Sequence, residues 1–336
     1  MTRCICVSRS FERIWPLVPE YVQRQWSSAD FIRIDEDDER PLSAIIPMPE
    51  KITQLISLGV SVSLECPSAF PNLEEAAIFS SGYLGDRDAA AVFADAGVKT
   101  ITHDSEGYWG ASVSEFALGL TIAGLRRIPQ LHQTIQDDTA PWDYSPEGEP
   151  GPGKRGHQFG DDDRFTCGTI AGKRVRIIGV GNIGSRYAGV TSYLGGDIAA
   201  YDPYADEPCF HRAGARRVHS IDELISDAEI FVPMVPLTDD TRGLVTAAHI
   251  DALPHGTLVV LATRAQIVDT EALRSRVLAN ELALAADVWD GNPGEPIPVD
   301  DPLLGRDNVV HTPHIAGRTR DANHRWASRL LERFYT

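Results

Sequence analysis

Short apolar segments alternate with longer segments of mixed polarity along most of this 336-residue chain. Apolar runs of about four to eight residues are typical of buried strands, and apolar positions three or four residues apart are typical of helices. In the first third of the chain this pattern predicts strands at Arg3–Val7, Ser43–Pro47, Glu75–Phe79 and Val98–Ile101, and helices at Glu50–Leu58 and Asp86–Ala96. Strands that alternate with helices indicate a parallel, doubly wound sheet.

A long helical pattern runs from Ser112 to Thr134, and residues 137–168, rich in glycine, proline and charge, predict a long loop between two domains. A second alternating series follows. Its strands are predicted near 174–179, 197–201, 215–218, 228–232, 257–261 and 282–287, and its helices near 182–194, 221–226, 246–252 and 269–280. After this series the pattern predicts a loop (Asp290 to Leu304), a strand (Asn308–His311) and a last helix (Arg320–Phe334).

The segment Arg174–Pro203 carries the most specific local signal. An apolar run leads into Gly179-Val-Gly181-Asn-Ile-Gly184, and a second apolar run stops at Asp202. This order of strand, glycine turn, helix and strand is typical of dinucleotide binding, because the glycines let backbone amides approach a pyrophosphate at a helix N-terminus. Asp202 would accept hydrogen bonds from a ribose diol and repel a 2′-phosphate, which favours NAD over NADP.

Composition narrows the classes of function. The net charge of −17 argues against nucleic acid or an anionic membrane as a partner, because both would be repelled. The amino-terminal residues lack the apolar core of a signal peptide, and no apolar run is long enough to span a membrane. The five scattered cysteines form no metal or redox motif, so we expect reduced thiols, a cytoplasmic protein and no metal.

Three ionisable residues follow predicted strands of the second series, where ligands bind in open α/β sheets. Arg264 follows the apolar run Thr257–Leu261, Glu295 lies in the loop after Asp287, and His314 follows the strand that ends at His311. His311 itself lies on the strand and is expected to be structural. Each residue alone is an ordinary surface residue; their joint placement around one domain indicates a site.

Several segments together resemble the NAD-dependent D-isomer-specific 2-hydroxyacid dehydrogenases. The resemblance is strong from Ile170 to Gly317 and weaker from Pro71 to Leu125. It rests on the segments IAGKRVRIIGVGNIG, VPLTDDTRGLV, VVLATRAQIVDTEAL, WGASVSEFALGL and LALAADVWDGNPGEPIPVDDPLLGRDNVVHTPHIAG.

The resemblance implies a catalytic set of Arg264, Glu295 and His314. Arg264 would bind the substrate carboxylate, His314 would act as general acid and base, and Glu295 would orient the imidazole. Backbone amides of Ser81, Gly82 and Tyr83 would hold the other side of the carboxylate, and Asp287 would contact the nicotinamide carboxamide. The implied NAD-binding residues are Gly179, Gly181, Asn182, Ile183, Gly184, Asp202, Pro236, Thr241, Ala262, Thr263, Arg264, Asp287, His314 and Gly317.

The resemblance also implies two Rossmann-like doubly wound domains with a cleft between them. Residues 1–112 and 306–336 would form a flavodoxin-like, substrate-binding domain, and residues 113–305 the NAD-binding domain with the loop 137–168. That loop could be a lid, a dimer contact or a simple insertion. The family further implies a homodimer through the cofactor domain.

The chain departs from the family at three positions. Glu295 follows Asp287 by eight residues instead of five, which leaves Asp290 as an alternative partner for His314. Ala265 replaces the glycine after the catalytic arginine, which would cost about 1 kcal/mol if that position required a positive φ. Met234 replaces a histidine and is expected to change packing only.

These features predict an oxidoreductase that transfers hydride between NAD(H) and a small anionic 2-keto or 2-hydroxy acid, such as a glyoxylate or hydroxypyruvate reductase. Two alternatives remain. One is the oxidation of another small anion, as in the formate- and phosphite-oxidising members. The other is an NAD(H)-sensing module that resembles the C-terminal-binding-protein corepressors.

Overall fold

The structure is a computed structural model that describes residues 2–79, 87–102, 109–143, 147–148, 159–291 and 294–334. The chain forms two compact units. The first holds the residues up to Trp109 and those from Arg318 onward, and the second holds Gly110–Gly317. Each unit has its own apolar core. The predicted carboxylate-binding turn Ser81-Gly82-Tyr83 lies outside the described residues.

The first unit is built around a five-stranded parallel sheet with the order β2-β1-β3-β4-β5. This is the flavodoxin-like order. Its elements up to β5 are β1 (Arg3–Ser8), α1 (Arg9–Ile14), α2 (Val18–Gln25), β2 (Asp30–Ile34), α3 (Leu42–Ile45), β3 (Gln54–Leu58), α4 (Cys66–Ala69), β4 (Glu75–Phe79), α5 (Arg87–Asp95) and β5 (Lys99–Ile101).

Two sequence predictions in this unit are wrong. The predicted strand Ser43–Pro47 is the short helix α3, and the predicted helix Glu50–Leu58 is a 3₁₀ turn (Pro49–Lys51) followed by β3. A short apolar run fits either a strand or a buried helix. Strand β3 is decided by ladders to both neighbours, β1 and β4, which bury all five of its residues.

The second unit is built around a seven-stranded parallel sheet with the order β8-β7-β6-β9-β10-β11-β12. This is the Rossmann order with one added strand, and it changes direction between β6 and β9, where such sheets bind ligands. The elements are α6 (Gly110–Arg126), α7 (Ile128–Asp137), β6 (Arg174–Ile178), α8 (Asn182–Tyr193), β7 (Asp197–Tyr201), α9 (Glu207–Ala213), β8 (Arg216–Arg217), α10 (Ile221–Ile225), β9 (Ile230–Pro233), α11 (Ala247–Ala252), β10 (Leu258–Leu261), α12 (Thr270–Leu278), β11 (Ala283–Ala286) and β12 (Val309–His311).

The boundaries between the units differ from the predicted ones. The strand β12 pairs with β11, so residues 306–317 lie in the second unit, and the chain returns to the first unit at Arg318. The last helix, α13 (Arg320–Glu332), packs against α2 there. The loop 137–168 is not a boundary, because Thr166 N donates to Gly256 O at 2.8 Å within the second unit.

The predicted helix Ser112–Thr134 is two helices. Arg127 has a φ of +51°, and Pro129 lies in the first turn of α7, where its missing N–H would have no helical partner. Among the described residues, no helix combines the length and the apolar character needed to cross a membrane.

A buried arginine connects strands β6 and β7 to the segment that precedes β9. The Arg176 side chain on β6 is 2% exposed; it donates to both carboxylate oxygens of Asp227 at 2.7 and 2.8 Å and to Asp197 Oδ2 at 3.1 Å. The hydrogen bonds from Arg176 hold the pKa of Asp227 below its usual range. This network lies at the amino-terminal end of the sheet, away from the edge where ligands bind, and therefore stabilises the fold.

Replacing Arg176 by methionine should lower the free energy of unfolding by about 2 kcal/mol at pH 7, because charge-assisted hydrogen bonds are lost while both carboxylates keep partial access to water. The stabilisation from a lowered Asp pKa is present above about pH 4 and is lost as pH falls through the folded-state pKa. Urea unfolding should therefore show a smaller difference between the two proteins at pH 3 than at pH 7. An equal difference at both pH values would contradict the ion-pair explanation.

Candidate active site

The predicted site residues of the second unit converge on one edge of its sheet. They follow the carboxyl ends of parallel strands: the glycine turn follows β6, Asp202 follows β7, Pro236 and Thr241 follow β9, Ala262, Thr263 and Arg264 follow β10, Asp287 follows β11, and His314 and Gly317 follow β12. Because the carboxyl ends of parallel strands share one edge, residues up to 138 positions apart in the printed sequence lie around one surface.

The glycine turn has the close backbone approaches that its residue types require. Gly179 has a φ of +93°, and a Cβ there would lie 2.9 Å from Met234 O. A Cβ on Gly184 would lie 2.0 Å from Gly179 O, so only glycine lets α8 pack this closely on the turn. At Gly181, which precedes α8, a Cβ would meet nothing within 4 Å.

The surroundings of this turn fit a dinucleotide. The open space at Gly181 faces the start of α8, where unpaired amides and the helix dipole favour an anion. The buried Nδ2 of Asn182, at the first position of α8, has no hydrogen-bond partner among the described residues. Asp202 accepts from Val180 N at 2.9 Å, which holds its carboxylate beside the turn.

Replacing Gly184 by alanine should weaken NADH binding at least tenfold, because the added methyl group would force Gly179 and α8 apart. Gly189 is the matched control: it lies on the same helix, has open space around a would-be Cβ, and should bind NADH normally as Gly189→Ala. Fluorescence titration with NADH measures both variants. Equal affinity in the two would mean that the turn does not hold the cofactor.

Arg264 is half-buried and lies in extended backbone (φ −147°, ψ 131°), three residues after the end of β10. Its Nη1 donates to Thr263 O at 2.7 Å. Ala265 is the buried first residue of a 3₁₀ turn, and the positive-φ residues other than glycine in the described chain are Met48, Arg127, Asn280 and His314. The condition for strain at Ala265, a positive φ, is therefore not met. The replacement of glycine carries no backbone penalty here.

The carboxylate of Glu295 connects the loop after β11 to His314. Its Oε2 lies 2.8 Å from His314 Nδ1, and its Oε1 accepts from Trp289 N at 2.6 Å. These two hydrogen bonds hold Glu295 beside the histidine although eight positions separate it from Asp287. Between the two alternatives considered, Glu295 and not Asp290 is the hydrogen-bond partner of His314 in the structure.

Asp287 lies at the end of β11, is 1% exposed, and binds the backbone around His314. Its Oδ1 accepts from Thr312 Oγ1 at 2.6 Å and from Ile315 N at 3.0 Å, and its Oδ2 accepts from Ala316 N at 2.9 Å. The Ser112 hydroxyl donates to Ala316 O on the other side of the same segment. Three of the roughly four acceptor positions of a carboxylate are thus occupied.

Other predicted residues contribute backbone contacts and packing near this edge of the sheet. The Thr241 hydroxyl donates to Pro236 O at 2.6 Å and accepts from Thr238 N at 2.8 Å, which closes the turn after β9. Thr263 is buried and donates to Pro233 O at 3.3 Å. Met234 is buried beneath the glycine turn, in agreement with a change in packing.

Two contributors were not predicted. The Trp289 amide holds Glu295, and the Thr312 hydroxyl holds Asp287. The motif HTPH could have drawn attention to Thr312, because a hydroxyl two residues before a catalytic histidine is placed to hold its backbone. Nothing in the sequence marks a backbone amide such as that of Trp289.

The chemistry available at this edge is specific. A permanent cation and a histidine paired with a carboxylate lie on the same sheet as the glycine turn, and no group of three or more potential metal-ligating residues occurs within the described part of the chain. This set suits binding of an anion and proton exchange at an oxygen atom.

Comparisons with known proteins agree with these features. The family model described as "D-isomer specific 2-hydroxyacid dehydrogenase, NAD binding domain" matches residues 118–316. The chain is 32% identical over 212 residues to a D-3-phosphoglycerate dehydrogenase from Archaeoglobus fulgidus, which is 63% of this chain but 36% of that protein. The chain thus spans about a third of the length of that relative. A hydroxypyruvate reductase from Thermotoga maritima is 29% identical over 243 residues, covering 71% of this chain and 70% of the reductase.

Solved structures show the same fold over nearly the whole chain. The apo structure of D-lactate dehydrogenase from Escherichia coli superposes with a TM-score of 0.67 at 20% identity, covering 99% of this chain and 96% of that one. A D-2-hydroxyisocaproate dehydrogenase gives a TM-score of 0.69 at 18% identity, covering 98% and 95%. At these identities the likeness concerns the fold alone.

Proposed function

Because the chain belongs to the D-isomer specific 2-hydroxyacid dehydrogenase family, whose members are NAD-dependent oxidoreductases, we propose that it reduces a small 2-keto acid to the D-2-hydroxy acid, as a glyoxylate or hydroxypyruvate reductase does. The observation that carries the proposal is the 2.8 Å contact between Glu295 and His314 on the same sheet edge as Arg264 and the glycine turn.

Each residue has a distinct role in the proposed reaction. Arg264 binds the substrate carboxylate and polarises the keto oxygen, a task for which the guanidinium fork is suited. Glu295 accepts a hydrogen bond from His314 Nδ1, which fixes the tautomer and the orientation of the ring. His314 Nε2 then gives its proton to the keto oxygen, and it takes the proton back in the reverse direction.

Bound NAD(H) supplies or accepts the hydride at the substrate carbon. The residues that would hold it are those of the glycine turn, with Asp202 at the ribose. We also propose that the amides of Ser81, Gly82 and Tyr83 bind the substrate carboxylate. The substrate-binding domain would be the first unit, which holds residues 1–109 and those from Arg318 onward.

The test is oxidation of NADH by the purified protein against about twenty 2-keto acids, with NADPH in parallel. We expect turnover of a small unphosphorylated acid, and at least tenfold lower kcat/KM with NADPH, because Asp202 would face the 2′-phosphate. Equal use of both cofactors would contradict the role of Asp202. Oxidation of formate or phosphite without keto-acid turnover would favour the second enzyme class, and NADH binding without any turnover would favour the sensing module.

We propose a homodimer that forms through the second unit. A groove of about 780 Å³ with a mixed lining lies between α7 and residues 159–164. Its exposed apolar side chains include Leu131, Trp142 and Phe159, with 36%, 58% and 52% exposure. Its rim carries both arginines and aspartates, so that a second copy can pair opposite charges across a twofold axis. The five free cysteines support a reducing, cytoplasmic environment.

Sedimentation velocity at micromolar concentration tests the dimer. Wild-type protein should sediment as a dimer of 36.8 kDa chains, and Leu131→Glu should shift it to monomer, because a charge in an apolar interface is costly to desolvate. Val190→Glu, on the exposed face of α8, is the matched control and should remain dimeric. A monomeric wild type would reject this assignment.

A further inference from the structure

His314 has a backbone conformation that its residue type disfavours. Its φ is +55°, in the left-handed region, where the Cβ of an L-residue is crowded by the backbone. Such residues persist when their surroundings over-determine them, and they are concentrated at functional sites. The contacts of the segment 312–316 show what maintains this conformation.

The left-handed turn at His314 directs two successive amides at one carboxylate. Ile315 N and Ala316 N, the two amides after His314, donate to Oδ1 and Oδ2 of Asp287. Successive N–H groups around a left-handed residue form a concave anion-binding site, known as a nest. The Thr312 hydroxyl adds a third donor from the other side of the histidine.

This arrangement stabilises both the buried carboxylate of Asp287 and the left-handed backbone of His314. A carboxylate that is 1% exposed needs compensation, which the three donors supply. The left-handed backbone at His314 is unfavourable by itself, and the two charge-assisted hydrogen bonds to Asp287 offset its cost. Because Asp287 is anchored through its own amide to Leu261 O at 2.8 Å, the segment is fixed to the sheet.

We propose that Asp287 is a positioning residue for the acid–base histidine: its carboxylate fills the nest formed by Ile315 and Ala316 and so holds His314 in the left-handed conformation that presents the ring to Glu295. This rests on the proposed function of His314. It assigns Asp287 a task separate from the expected nicotinamide contact. His314 is then held twice, by Asp287 through its backbone and by Glu295 through its ring.

The test is Asp287→Asn in the full-length protein. The asparagine side chain has one oxygen acceptor, and its NH₂ group would face one of the two backbone amides that donate to Asp287. Hydrogen exchange should show loss of protection at Ile315 and Ala316. The ¹⁵N signals of the His314 ring, assigned by their disappearance in His314→Gln, should change in tautomer ratio. The kcat at saturating NADH should fall about 100-fold, with the KM for NADH within threefold of wild type.

Asp269→Asn is the matched control, because Asp269 also accepts from a backbone amide (Ala272 N, 2.9 Å) in the same unit but lies at the start of α12. It should leave the His314 signals unchanged. If Asp287→Asn does not fold, Thr312→Val decides, since it removes one donor of three; it should alter the His314 signals and lower kcat about tenfold.

Unchanged His314 signals together with a weaker NADH affinity in Asp287→Asn would overturn the proposal and leave the nicotinamide contact as the role of Asp287. For Thr312→Val, unchanged His314 signals would overturn it as well. The exchange and ¹⁵N measurements need no substrate, so they remain decisive even if no 2-keto acid is turned over. Failure of the proposed function and failure of this proposal are therefore distinguishable.

Discussion

Replacing His314 by glutamine should lower kcat for keto-acid reduction by two orders of magnitude or more, while the dissociation constant for NADH stays within about threefold of wild type. General acid catalysis by a positioned side chain contributes about 10²- to 10⁴-fold, and glutamine cannot protonate the developing alkoxide. Glutamine retains a polar group of similar reach, so the hydrogen bond to Glu295 can partly persist and the loop 290–295 is not left with an unpaired carboxylate.

His311 provides the control for this experiment. It lies three residues earlier on β12, where its ring packs edge-on against Trp289 at 6.4 Å, and burial lowers the pKa of its imidazole, so it stays neutral at neutral pH. His311→Gln should change kcat less than threefold. Near-normal turnover in His314→Gln, or an equal loss in both variants, would reject His314 as the acid–base group. Stopped-flow and steady-state kinetics with saturating NADH measure the two variants.

Replacing Arg264 by methionine should lower kcat/KM for the keto acid by about 10²- to 10³-fold. Loss of one partner of a desolvated, hydrogen-bonded charge pair costs about 2 to 5 kcal/mol, and the same guanidinium is proposed to polarise the keto oxygen. Arg264→Lys keeps the charge but not the bidentate fork, so its kcat/KM should lie between those of the wild type and Arg264→Met. Both substitutions keep the extended backbone of residue 264, so the fold should be preserved.

The kinetic pattern separates binding from catalysis. If Arg264 binds the carboxylate and polarises the carbonyl, KM for the keto acid should rise and kcat should fall together, with NADH affinity unchanged. A rise in KM alone would limit Arg264 to substrate binding. Wild-type kcat/KM in Arg264→Met would remove the residue from the site. Arg274, whose guanidinium is already occupied by a bidentate pair with Asp301, is the matched arginine control.

The sequence predicted the strands of the second unit well because most of them are short apolar runs, and three of them (β6, β7 and β11) end at a glycine or an aspartate. The prediction of secondary structure failed at residues 43–58. Polar residues stand on both sides of the apolar positions there, with a spacing that also fits a helix. There, only pairing with β1 and β4 selects the strand. Secondary structure that depends on partners distant in the chain is not encoded in a local pattern.

Site geometry shows the same division. The types of residues at 264, 295 and 314 and the glycine turn could be chosen from the sequence, because only a few side chains can bind a carboxylate or exchange a proton near neutral pH. The additional residues after Asp287 left open which carboxylate reaches His314. The hydrogen bond from the Trp289 amide holds Glu295 beside His314 and resolves that ambiguity, and no spacing rule predicts such a contact.

The sequence by itself determined that this chain forms α/β units around parallel sheets and belongs to its family, and it predicted the turn at Gly179–Gly184 as the NAD site, since hydrophobic periodicity and glycine spacing are local properties. The tertiary structure alone decided the unit boundaries at Trp109 and Arg318, the unstrained backbone of Ala265, and the left-handed turn of His314. These features depend on contacts between distant parts of the chain. Strand β12 pairs with β11, Glu295 hydrogen-bonds to His314, and Asp287 accepts from the backbone amides that follow His314. Hydrogen bonds between residues far apart in sequence become available only once the strands have aligned their ends.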